Sequence, residues 1–509
     1  MFMKKNWNRI VILIAGIICI CVILTFIIVK LVVNKRERMV SQKEAVEMIF
    51  ENVYVTSLED DKVTFLYKGS LNTFEGKVSS DCIGICDVIV KNGKIQQIYT
   101  KRESIEGNLI KYKNDTMYIS VMDEIIEKRY RNDFPVYSLL DKEVKQISCD
   151  DLVLGASNLV YILFNEEIVA LLQYEPCDYE NIRVLMKNDN QIYYDTKVSV
   201  VQEGDYSYIV NEAGERLTRN CVGTLEVLQE EEGYVVINTL PVEEYVRYVT
   251  PSEMPYTWDM EALKAQAVCA RTYAYAQMKN SRYAEFGANL DNSVDYQVYN
   301  NVGLKDSTNK AADETKYQVL SCNNELITCY FFSTSAGRTN TMEVWESDNP
   351  SFIHSVESKD TSSGLSNWKA ELDYTKTDSN DMGRILEIKV LSKNKGGYIT
   401  SMEIQYENGA VEYKNEYKIR KILAEHMVTM SDQTGRDISG WSLLPSASFS
   451  LDDISDETKV LVTGKGNGHG IGMSQYGAYE FAKSGVGYEE ILKYYYKDVD
   501  LMDIRQIVK

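Results

Sequence analysis

The stretch Thr250-Pro251-Ser252-Glu253-Met254-Pro255, together with the sequence after it, organises the rest of the chain. Each proline fixes its own φ and disfavours the helical region for the residue before it. We therefore expect Thr250 and Met254 to be extended and Glu253 to lie on a short, stiff loop. The following segment Asp259–Lys279 contains no proline or glycine, and its apolar residues recur every three or four positions, which predicts a helix.

A carboxylate held rigidly before a well-anchored helix is a candidate general acid or base. The alternative is that Glu253 is a solvated carboxylate at a loop or a helix entry. On the predicted helix, Arg271 lies beside the apolar stripe rather than opposite it. Local sequence alone leaves both interpretations of Glu253 open.

The segment Gly464–Ala478 has glycine at every second position from 464 to 472. Such alternation suits close approach of the backbone to a packed neighbour or a ligand. The spacing excludes a dinucleotide-binding G-x-G-x-x-G, a phosphate-binding P-loop and a G-x-S-x-G hydrolase elbow. His469, one of three histidines in the chain, is then either a hydrogen-bonded structural residue or a site residue.

Length and composition limit the classes of protein that fit. A chain of 509 residues is expected to form two or three domains, and 44% hydrophobic with 26% charged residues is ordinary for a globular protein. The formal net charge of −20 argues against nucleic acid as a partner, because phosphate binding needs a basic face. The ten cysteines show no C-x-x-C pair and no zinc-ribbon spacing. Cys322 and Cys329 flank a predicted hairpin, but a two-residue turn at Asn323-Asn324 would put Cys322 opposite Glu325, so we commit to no disulfide.

The N-terminal region contains a 20-residue stretch without a charged residue, from Ile10 to Val29. That length is enough to cross a bilayer core of about 30 Å as a helix. No small-x-small cleavage signal follows it, so we expect an uncleaved anchor. Basic residues both precede and follow the span, so charge does not favour placing the C-terminal body outside the membrane.

The sequence as a whole predicts an α+β protein in three segments. Residues 1–38 would be a cytoplasmic tail, the transmembrane helix and a stalk. Residues 39–178, where short β-branched and aromatic runs alternate with turn signals after a brief helix at 43–52, would form a β-rich accessory module of unknown role. Residues 179–509 mix antiparallel hairpins with helices and would form the catalytic region.

Taken together, several motifs in this last region resemble the stage II sporulation protein D family, also called the SpoIID/LytB domain. The matching segments, in family order, are Pro251–Pro255, Glu261–Ala267, Ala270–Ala274, Gln297–Tyr299, Ser335–Thr339, Gly468–Ala478 and Glu489–Tyr496. The resemblance runs from about Ile182 to the C-terminus and leaves residues 39–178 uncovered.

The resemblance implies a peptidoglycan lytic transglycosylase that cleaves the bond between N-acetylmuramic acid and N-acetylglucosamine in strands stripped of stem peptides. The family's catalytic acid corresponds to Glu253. A hydrolase uses two carboxylates, whereas here the C6 hydroxyl of the muramic acid attacks its own C1 and gives a 1,6-anhydro end. One glutamate is then enough, and partial burial should raise its pKa towards neutrality.

The resemblance also implies a set of residues that bind the sugar or orient Glu253. These candidates are Arg271, Gln297, Tyr299, Ser335, Arg338, His469, Ser474 and Gln475. Because an arginine beside Glu253 would lower the pKa of the carboxyl, we expect Arg271 to touch substrate or another acid. Some relatives carry a metal-binding His/Cys cluster before the Gln-x-Tyr segment, but residues 289–296 contain neither, so we predict no metal and no cofactor.

The expected partners are peptidoglycan glycan strands, a cell-wall amidase, other membrane proteins of a wall-remodelling complex, and the membrane itself. The expected location is the cell membrane, with a single span and the catalytic region outside the cytoplasm. A competing hypothesis is a non-catalytic amidase enhancer that binds glycan and stimulates a partner amidase. A purely structural wall anchor would leave the Glu253 and His469 segments unexplained.

Overall fold

The computed structural model describes residues 47–507, except 60, 79, 123, 132, 141–142, 149–151, 153, 155–157, 176–178, 189–190, 380–381 and 454–457. The predicted membrane span at residues 10–29 lies outside this described part. Within it, no helix is both long and apolar enough to cross a membrane.

The described helices and strands alternate through most of the second half of the chain. The helices are α1 Val242–Glu253, α2 Met260–Lys279, α3 Asp306–Glu314, α4 Glu416–Glu425, α5 Gln475–Lys483, α6 Tyr488–Tyr495 and α7 Ile504–Ile507. The first strands are β1 Glu47–Glu59, β2 Lys62–Tyr67, β3 Ser70–Glu75, β4 Gly84–Lys91, β5 Lys94–Thr100, β6 Ser104–Lys113, β7 Thr116–Val121, β8 Glu124–Arg129, β9 Val136–Ser138, β10 Lys145–Ile147, β11 Leu159–Phe164 and β12 Glu167–Gln173. The later strands are β13 Asn181–Leu185, β14 Val198–Glu203, β15 Tyr206–Asn211, β16 Thr224–Glu230, β17 Gly233–Pro241, β18 Leu290–Asp291, β19 Gln318–Cys322, β20 Glu325–Leu326, β21 Phe331–Phe332, β22 Trp368–Asp373, β23 Ile385–Lys393, β24 Ile399–Tyr406, β25 Gly409–Lys414, β26 Met427–Asp432, β27 Phe449–Asp453, β28 Lys459–Gly464, β29 Met473–Ser474 and β30 Asp500–Asp503.

The chain divides into two compact units, and the first consists of the residues up to 105 with 133–147 and 161–172. Strands β1 to β5 close into a barrel in the order β1-β2-β3-β5-β4. The brief helix predicted at 43–52 is wrong where it can be compared, because residues 47–52 belong to β1. Side-chain burial alternates along this part of β1, and Phe50 packs against Phe65, Tyr67 and Phe74, which a helix would not allow.

The second unit consists of residues 106–132, 148–160 and 173–509, and α2 runs through it. Fifteen of the twenty residues of α2 are buried, because α1, α3, α5 and α6 all pack against it. Alanines at many of these positions let the neighbouring helices come close. Around this bundle lie small sheets ordered β16-β17-β13-β18, β20-β19-β30, β26-β22-β28-β27 and β23-β24-β25. The mixed α+β class predicted from sequence is confirmed.

Several local predictions for this unit are confirmed. The helix expected over Asp259–Lys279 is α2, with Asp259 as its N-cap residue. The hairpin turn at Asn323-Asn324 joins β19 to β20, both asparagines have positive φ, and Cys322 pairs with Glu325 as expected. Residues 394–398 turn between β23 and β24, and the two-residue turn Glu407-Asn408 joins β24 to β25, with Tyr406 paired to Gly409.

The helix that precedes α2 differs in part from the expectation drawn from the two prolines. Helix α1 continues through Pro251, so Thr250 is helical and Glu253 is the last helical residue rather than part of a loop. Met254 is extended as predicted, with φ −131° and ψ 136°. The two residues that flank the proline add side-chain hydrogen bonds to this last turn. The hydroxyls of Thr250 and Ser252 donate to the carbonyls one turn earlier at 2.8 and 2.7 Å.

Candidate functional site

Glu253 is held at the end of α1 by donors from two distant parts of the sequence. The backbone N–H of Val298 donates to Oε1 at 2.6 Å. The side-chain amide of Gln475 donates to the backbone oxygen of Glu253 at 3.1 Å and to Oε2 at 3.4 Å, and it also lies 3.5 Å from Oε1 of the fully buried Gln266. The structure thus brings together Glu253, Gln475 and the Gln-x-Tyr segment, which the sequence analysis named separately.

The surroundings of Glu253 favour its neutral form. Burial is the main cause that raises the pKa of Glu253 to about 7, and the hydrogen bonds from Val298 and Gln475 oppose that rise. Glu253 forms no ion pair with any described residue. The expectation of a pKa near neutrality agrees with this environment, and a carboxyl of this kind exchanges protons readily at neutral pH.

The segment that supplies the Val298 N–H is fixed on the last turn of α1. The N–H groups of Asn301 and Val302 point at the hydroxyl oxygen of Ser252, at 3.0 and 3.4 Å. Ser252 and Glu253 are consecutive in α1, and both accept hydrogen bonds from backbone N–H groups of the short stretch 298–302. This arrangement limits the directions in which the Glu253 carboxyl can turn.

Gln297 and Tyr299, on either side of Val298, point into the core. Gln297 accepts a hydrogen bond from the Tyr245 hydroxyl at 3.1 Å, and its Nε2 is buried without a hydrogen-bond partner. Tyr299 stacks on Tyr245 at a centroid distance of 5.3 Å and donates to Oδ1 of Asn238 at 2.7 Å. Both side chains therefore support the segment from beneath, and the predicted contact with substrate remains a prediction.

Arg271 is fully buried and paired with an acid, which is one of the two outcomes expected for it. Its Nε and Nη2 donate to the two carboxylate oxygens of Glu243 at 2.9 and 2.8 Å. Its remaining donors reach the carbonyls of Ala312 and Gln318 at 3.1 and 3.3 Å. The guanidinium thereby joins the start of α1 to α2 and to the end of α3, and all of these acceptors belong to the protein.

His469 lies in the glycine-rich segment with both ring nitrogens engaged. Nε2 is 3.0 Å from the carbonyl oxygen of Phe331, and the N–H of Ile471 donates to Nδ1 at 3.0 Å. These partners assign the proton to Nε2 and leave the ring neutral. Burial lowers the pKa of His469 to about 4. Among the two interpretations left open by the sequence, this environment favours the structural one.

The alternating glycines let the His469 segment pass close to its neighbours. Gly470 and Gly472 have φ of +81° and +77°. A Cβ on Gly472 would lie 2.0 Å from the carbonyl oxygen of Tyr330, and one on Gly470 would lie 2.5 Å from Nδ2 of Asn340. The close approach predicted from the glycine pattern is therefore to packed protein.

Ser335 and Ser474 meet at a buried carboxylate. The hydroxyl of Ser474 donates to Oδ2 of Asp360 at 2.5 Å, and the backbone N–H of Ser335 donates to the same oxygen. Ser358 donates to Oδ1 at 2.5 Å, and burial raises the pKa of Asp360. Ser474 is also the N-cap of α5, so this network fixes the helix start that carries Gln475.

Arg338 is the most exposed of the predicted site residues. Its Nη2 donates to the carbonyl oxygen of Ser355 at 3.0 Å, and its Nη1 lies 3.9 Å from Oε1 of the exposed Glu357. This surface pair contributes little to stability and leaves part of the guanidinium open to solvent.

A line of neighbouring rings, called the aromatic row below, runs from Tyr283 to His469. Successive centroids are 5.8, 6.5, 6.1, 5.2 and 4.9 Å apart. Its members are Tyr283, Tyr296, Tyr273, Tyr330, Trp345 and His469. Burial and the neighbouring tyrosines raise the pKa of Tyr273, and Asp291 and Glu253 are smaller causes of the same rise.

The residues at 289–296 do not fit a metal ion. Oδ2 of the fully buried Asp291 lies 2.7 Å from Nζ of Lys187 and accepts the Tyr283 hydroxyl at 2.8 Å. Its Oδ1 accepts both the N–H and the hydroxyl of Ser293 at 2.7 Å. The carboxylate is thus already satisfied by a lysine cation. No group of three or more His, Cys, Asp or Glu side chains is placed for a metal within the described residues.

Sequence reasoning missed several residues that build this site. The N–H of Val298 carries no side-chain signal, and Asp360 lies in no recognised motif. Gln266 lies inside a matched segment, so the motif alone could have singled it out as a candidate site residue. The pairs Arg271–Glu243 and Lys187–Asp291 join residues 28 and 104 positions apart, and sequence spacing does not reveal such contacts.

Comparison with known proteins gives matches in this same region. A family profile described as stage II sporulation protein matches residues 230–321, and one described as a domain of unknown function (DUF8618) matches residues 359–472. An uncharacterized protein of Brachyspira hyodysenteriae is 31% identical over 62% of this chain and 80% of its own length.

Two relatives from Bacillus subtilis carry functional names. The stage II sporulation protein D is 31% identical over 52% of this chain and 76% of its own length. The amidase enhancer is 29% identical over 50% of this chain, and the match spans 39% of the enhancer. The first match, together with the profile over α1, α2 and the Gln-x-Tyr segment, shows that the chain belongs to the stage II sporulation protein D family.

Proposed function

We propose that this chain is a membrane-anchored peptidoglycan lytic transglycosylase in which Glu253 is the only acid and base. The observation that carries the proposal is the half-buried Glu253 carboxyl, fixed by Val298 and Gln475, whose pKa is raised to about 7. The relatives named stage II sporulation protein D and amidase enhancer support a cell-wall-related role.

The two carboxyl oxygens have different surroundings, which suggests how the proton moves. Oε1 receives the short hydrogen bond from Val298, whereas the amide of Gln475 is a long 3.4 Å from Oε2. Oε2 is therefore the oxygen that carries the proton. It protonates the bridging oxygen as the bond to C1 of the muramic acid breaks. It then takes the proton of the C6 hydroxyl as O6 bonds to C1, and no water is consumed.

A site with a single carboxylate fits the transglycosylase reaction better than it fits hydrolysis. No described Asp or Glu side chain shares a hydrogen bond with the Glu253 carboxyl, whose partners are Val298 and Gln475. Asp291 lies in the same region but is fully buried and bound to Lys187, so it is not free to activate a water. Hydrolysis would need a second carboxylate on the other side of the sugar.

The aromatic row supplies surfaces for the glycan. Tyr296, Tyr330 and Trp345 are half-buried, so part of each of these side chains is exposed to solvent. Such rings offer apolar faces to the C–H groups of sugars while polar groups fix the orientation. In this proposal Arg271, Gln297, Tyr299, Ser335, His469 and Ser474 act as positioning residues beneath the site.

The proposed location follows from the proposed substrate. Residues 10–29 would anchor the chain in the cell membrane, with residues 39–509 on the outer side, where peptidoglycan lies. The test is to add protease to intact cells. Cleavage of residues 39–509 would support this placement, and their protection would contradict it.

An amidase enhancer without its own turnover is the second candidate, favoured by the enhancer relative. Both functions need a glycan-binding face, and they differ in the need for a proton on Glu253. In the enhancer, a partner cell-wall amidase would do the chemistry.

The test uses the purified full-length chain in detergent with glycan strands stripped of peptides, and mass spectrometry of the products. We expect 1,6-anhydro-muramic ends with the wild type and none with Glu253→Gln. Glu244→Gln, on the same helix but paired with Arg247 at the surface, is the matched control and should remain active. Reducing ends would contradict the transglycosylase. Stimulation of an added amidase that survives Glu253→Gln, with no product from the chain alone, would establish the enhancer.

A further inference from the structure

Lys187 is a largely buried cation held by two carboxylates of one short segment. Its Nζ lies 2.7 Å from Oδ2 of Asp291 and 2.9 Å from Oδ2 of Asp295. The same nitrogen donates to the hydroxyl oxygen of Ser293 at 3.4 Å. Only 8% of the lysine side chain is exposed, so water and salt screen these ion pairs weakly. The ammonium thus gathers three side chains of residues 291–295 around one point.

Residues 292–299, called the 292–299 loop below, follow β18 and are bonded at both ends. The backbone N–H of Lys187 donates to Oδ1 of Asn292 at 2.9 Å, and the N–H of Asn292 donates to the carbonyl oxygen of Leu185 at 3.1 Å. At the other end, the N–H of Tyr299 donates to the carbonyl oxygen of Asn292 at 3.2 Å. The loop is therefore closed on its own first residue, and its position depends on how that end is held.

The loop carries two parts of the candidate site. The N–H of Val298 is the donor to Oε1 of Glu253 at 2.6 Å. Tyr296 belongs to the aromatic row, with its ring centroid 5.8 Å from that of Tyr283. The hydroxyl of Tyr283 donates to Oδ2 of Asp291 at 2.8 Å, and its ring centroid lies 5.9 Å from the ammonium nitrogen. The cluster around the ammonium is therefore connected both to the donor of the acid and to two rings of the row.

We propose that Lys187 is a positioning residue for Glu253 and acts on it through the 292–299 loop. The proposal rests on the proposed function, because the position of the carboxyl matters for turnover only if Glu253 is the acid. The hydrogen-bond partners of the carboxyl are Val298 and Gln475, so the lysine acts through the backbone of the loop.

Loss of the ammonium would release the loop. Asp291 and Asp295 would then repel each other and lose their common partner. The Val298 N–H would move away from Glu253. Because that hydrogen bond lowers the pKa of Glu253, its loss raises the pKa of the carboxyl further.

The test measures the pH dependence of kcat for the full-length chain carrying Lys187→Met. The fall of kcat on the alkaline side should move to higher pH by about one pH unit, as expected for a lost hydrogen bond to a charged group. On the acid side kcat should be about tenfold lower, because the carboxyl is less well oriented.

A second variant separates position from charge. Lys187→Met/Asp291→Asn removes one charge of each sign, so no ionised carboxylate is left at position 291 without its cation. It should show the same shift and the same loss of kcat, because the ammonium no longer holds the loop. A return to the wild-type profile would mean that the effect of Lys187→Met is electrostatic, and the positioning role would be wrong.

Lys101 supplies the matched control in the first compact unit. Its side chain is 7% exposed and its Nζ lies 2.8 Å from Oδ1 of Asp87. That nitrogen is also 5.0 Å from the ring centroid of Phe164. Lys101→Met removes a comparable ion pair, so it should lower stability and leave the pH dependence of kcat unchanged. An equal shift in Lys101→Met and Lys187→Met would overturn the proposal.

A measurement without turnover separates this proposal from the proposed function. Glutamate is isotope-labelled at its carboxyl carbon, the signal of Glu253 is assigned with Glu253→Gln, and NMR titration gives its pKa in each protein. A higher pKa in both Lys187 variants would support the positioning role. Absence of anhydro products from the wild type would end the transglycosylase proposal without changing that result. An unchanged pKa of Glu253 in both variants would overturn the positioning role.

Discussion

The backbone N–H of Val298 and Oε1 of Glu253 are 2.6 Å apart, although 45 residues separate them in the sequence. This bond joins the end of α1 to the Gln-x-Tyr segment and fixes one carboxyl oxygen, which leaves the other as the candidate proton carrier. Four predictions follow from the way the site is built around this bond.

The first prediction concerns the pH dependence of turnover. Because burial raises the pKa of Glu253 to about 7, its acid form should be lost as the pH rises through that value. We expect kcat to be level on the acid side and to fall about tenfold per pH unit well above 7. Glu253→Gln should lower kcat by about 100-fold or more and abolish this limb. A profile without a limb between pH 6 and 8 would show that Glu253 is not the acid.

The same group should affect stability. A raised folded-state pKa means that the folded chain binds more protons than the unfolded chain between the ordinary glutamate value and about pH 7. Stability is therefore lost as the pH rises through that window, by about 3 kcal/mol at most. Glu253→Gln should remove this part of the pH dependence. Urea unfolding of the wild type and of Glu253→Gln at pH 5 and pH 8 measures this difference. An equal change in the free energy of unfolding for both proteins would show that Glu253 is not its source.

A third prediction isolates Gln475. Its amide donates to Glu253 and lowers the carboxyl pKa, so Gln475→Met should raise that pKa further. The alkaline limb of the kcat profile should move to higher pH, with kcat reduced by about tenfold because the carboxyl is less well oriented. Gln202→Met, at an exposed glutamine that donates to Gly204, is the control and should leave the profile unchanged. If the alkaline limb of Gln475→Met moved to lower pH, that result would contradict the hydrogen bond from Gln475 to Glu253.

A fourth prediction separates stability from substrate binding at Arg271. Arg271→Met would leave the Glu243 carboxylate without its bidentate partner in a largely buried place, at a cost of about 3–5 kcal/mol. The double variant Arg271→Met/Glu243→Leu should recover much of that loss. Urea unfolding measures both, and the folded fraction should keep its KM for glycan. A raised KM in a fully folded variant would instead support the substrate contact predicted from sequence.

The fold was predictable where local signals were strong. The uninterrupted apolar period of Asp259–Lys279 predicted α2, and adjacent asparagines predicted the turn that places Cys322 opposite Glu325. The site was less predictable, because its contacts depend on tertiary packing. Proline rules favoured a loop at Glu253, but packing of α1 against α2 keeps the last turn helical through Pro251.

Tertiary packing also decided what the predicted site residues do. The motif residue Arg271 was visible, whereas its partner Glu243 was not. His469 drew attention by its rarity, yet its neighbours Phe331 and Ile471 engage both ring nitrogens. Glu253 was singled out by its motif, whereas the N–H that fixes its carboxyl could not be predicted, because a backbone donor leaves no mark in the sequence.

The continuation of α1 through Pro251 has an electrostatic consequence for the acid. Glu253 is the last residue of a 12-residue helix, and a helix carries partial negative charge at that end. An ionised carboxylate there is disfavoured by about 0.3–1 kcal/mol, in addition to the effect of burial. The backbone of α1 itself thus helps to keep Glu253 protonated. Unwinding the last turn would lower the pKa of Glu253 and reduce the protonated fraction of its carboxyl at neutral pH.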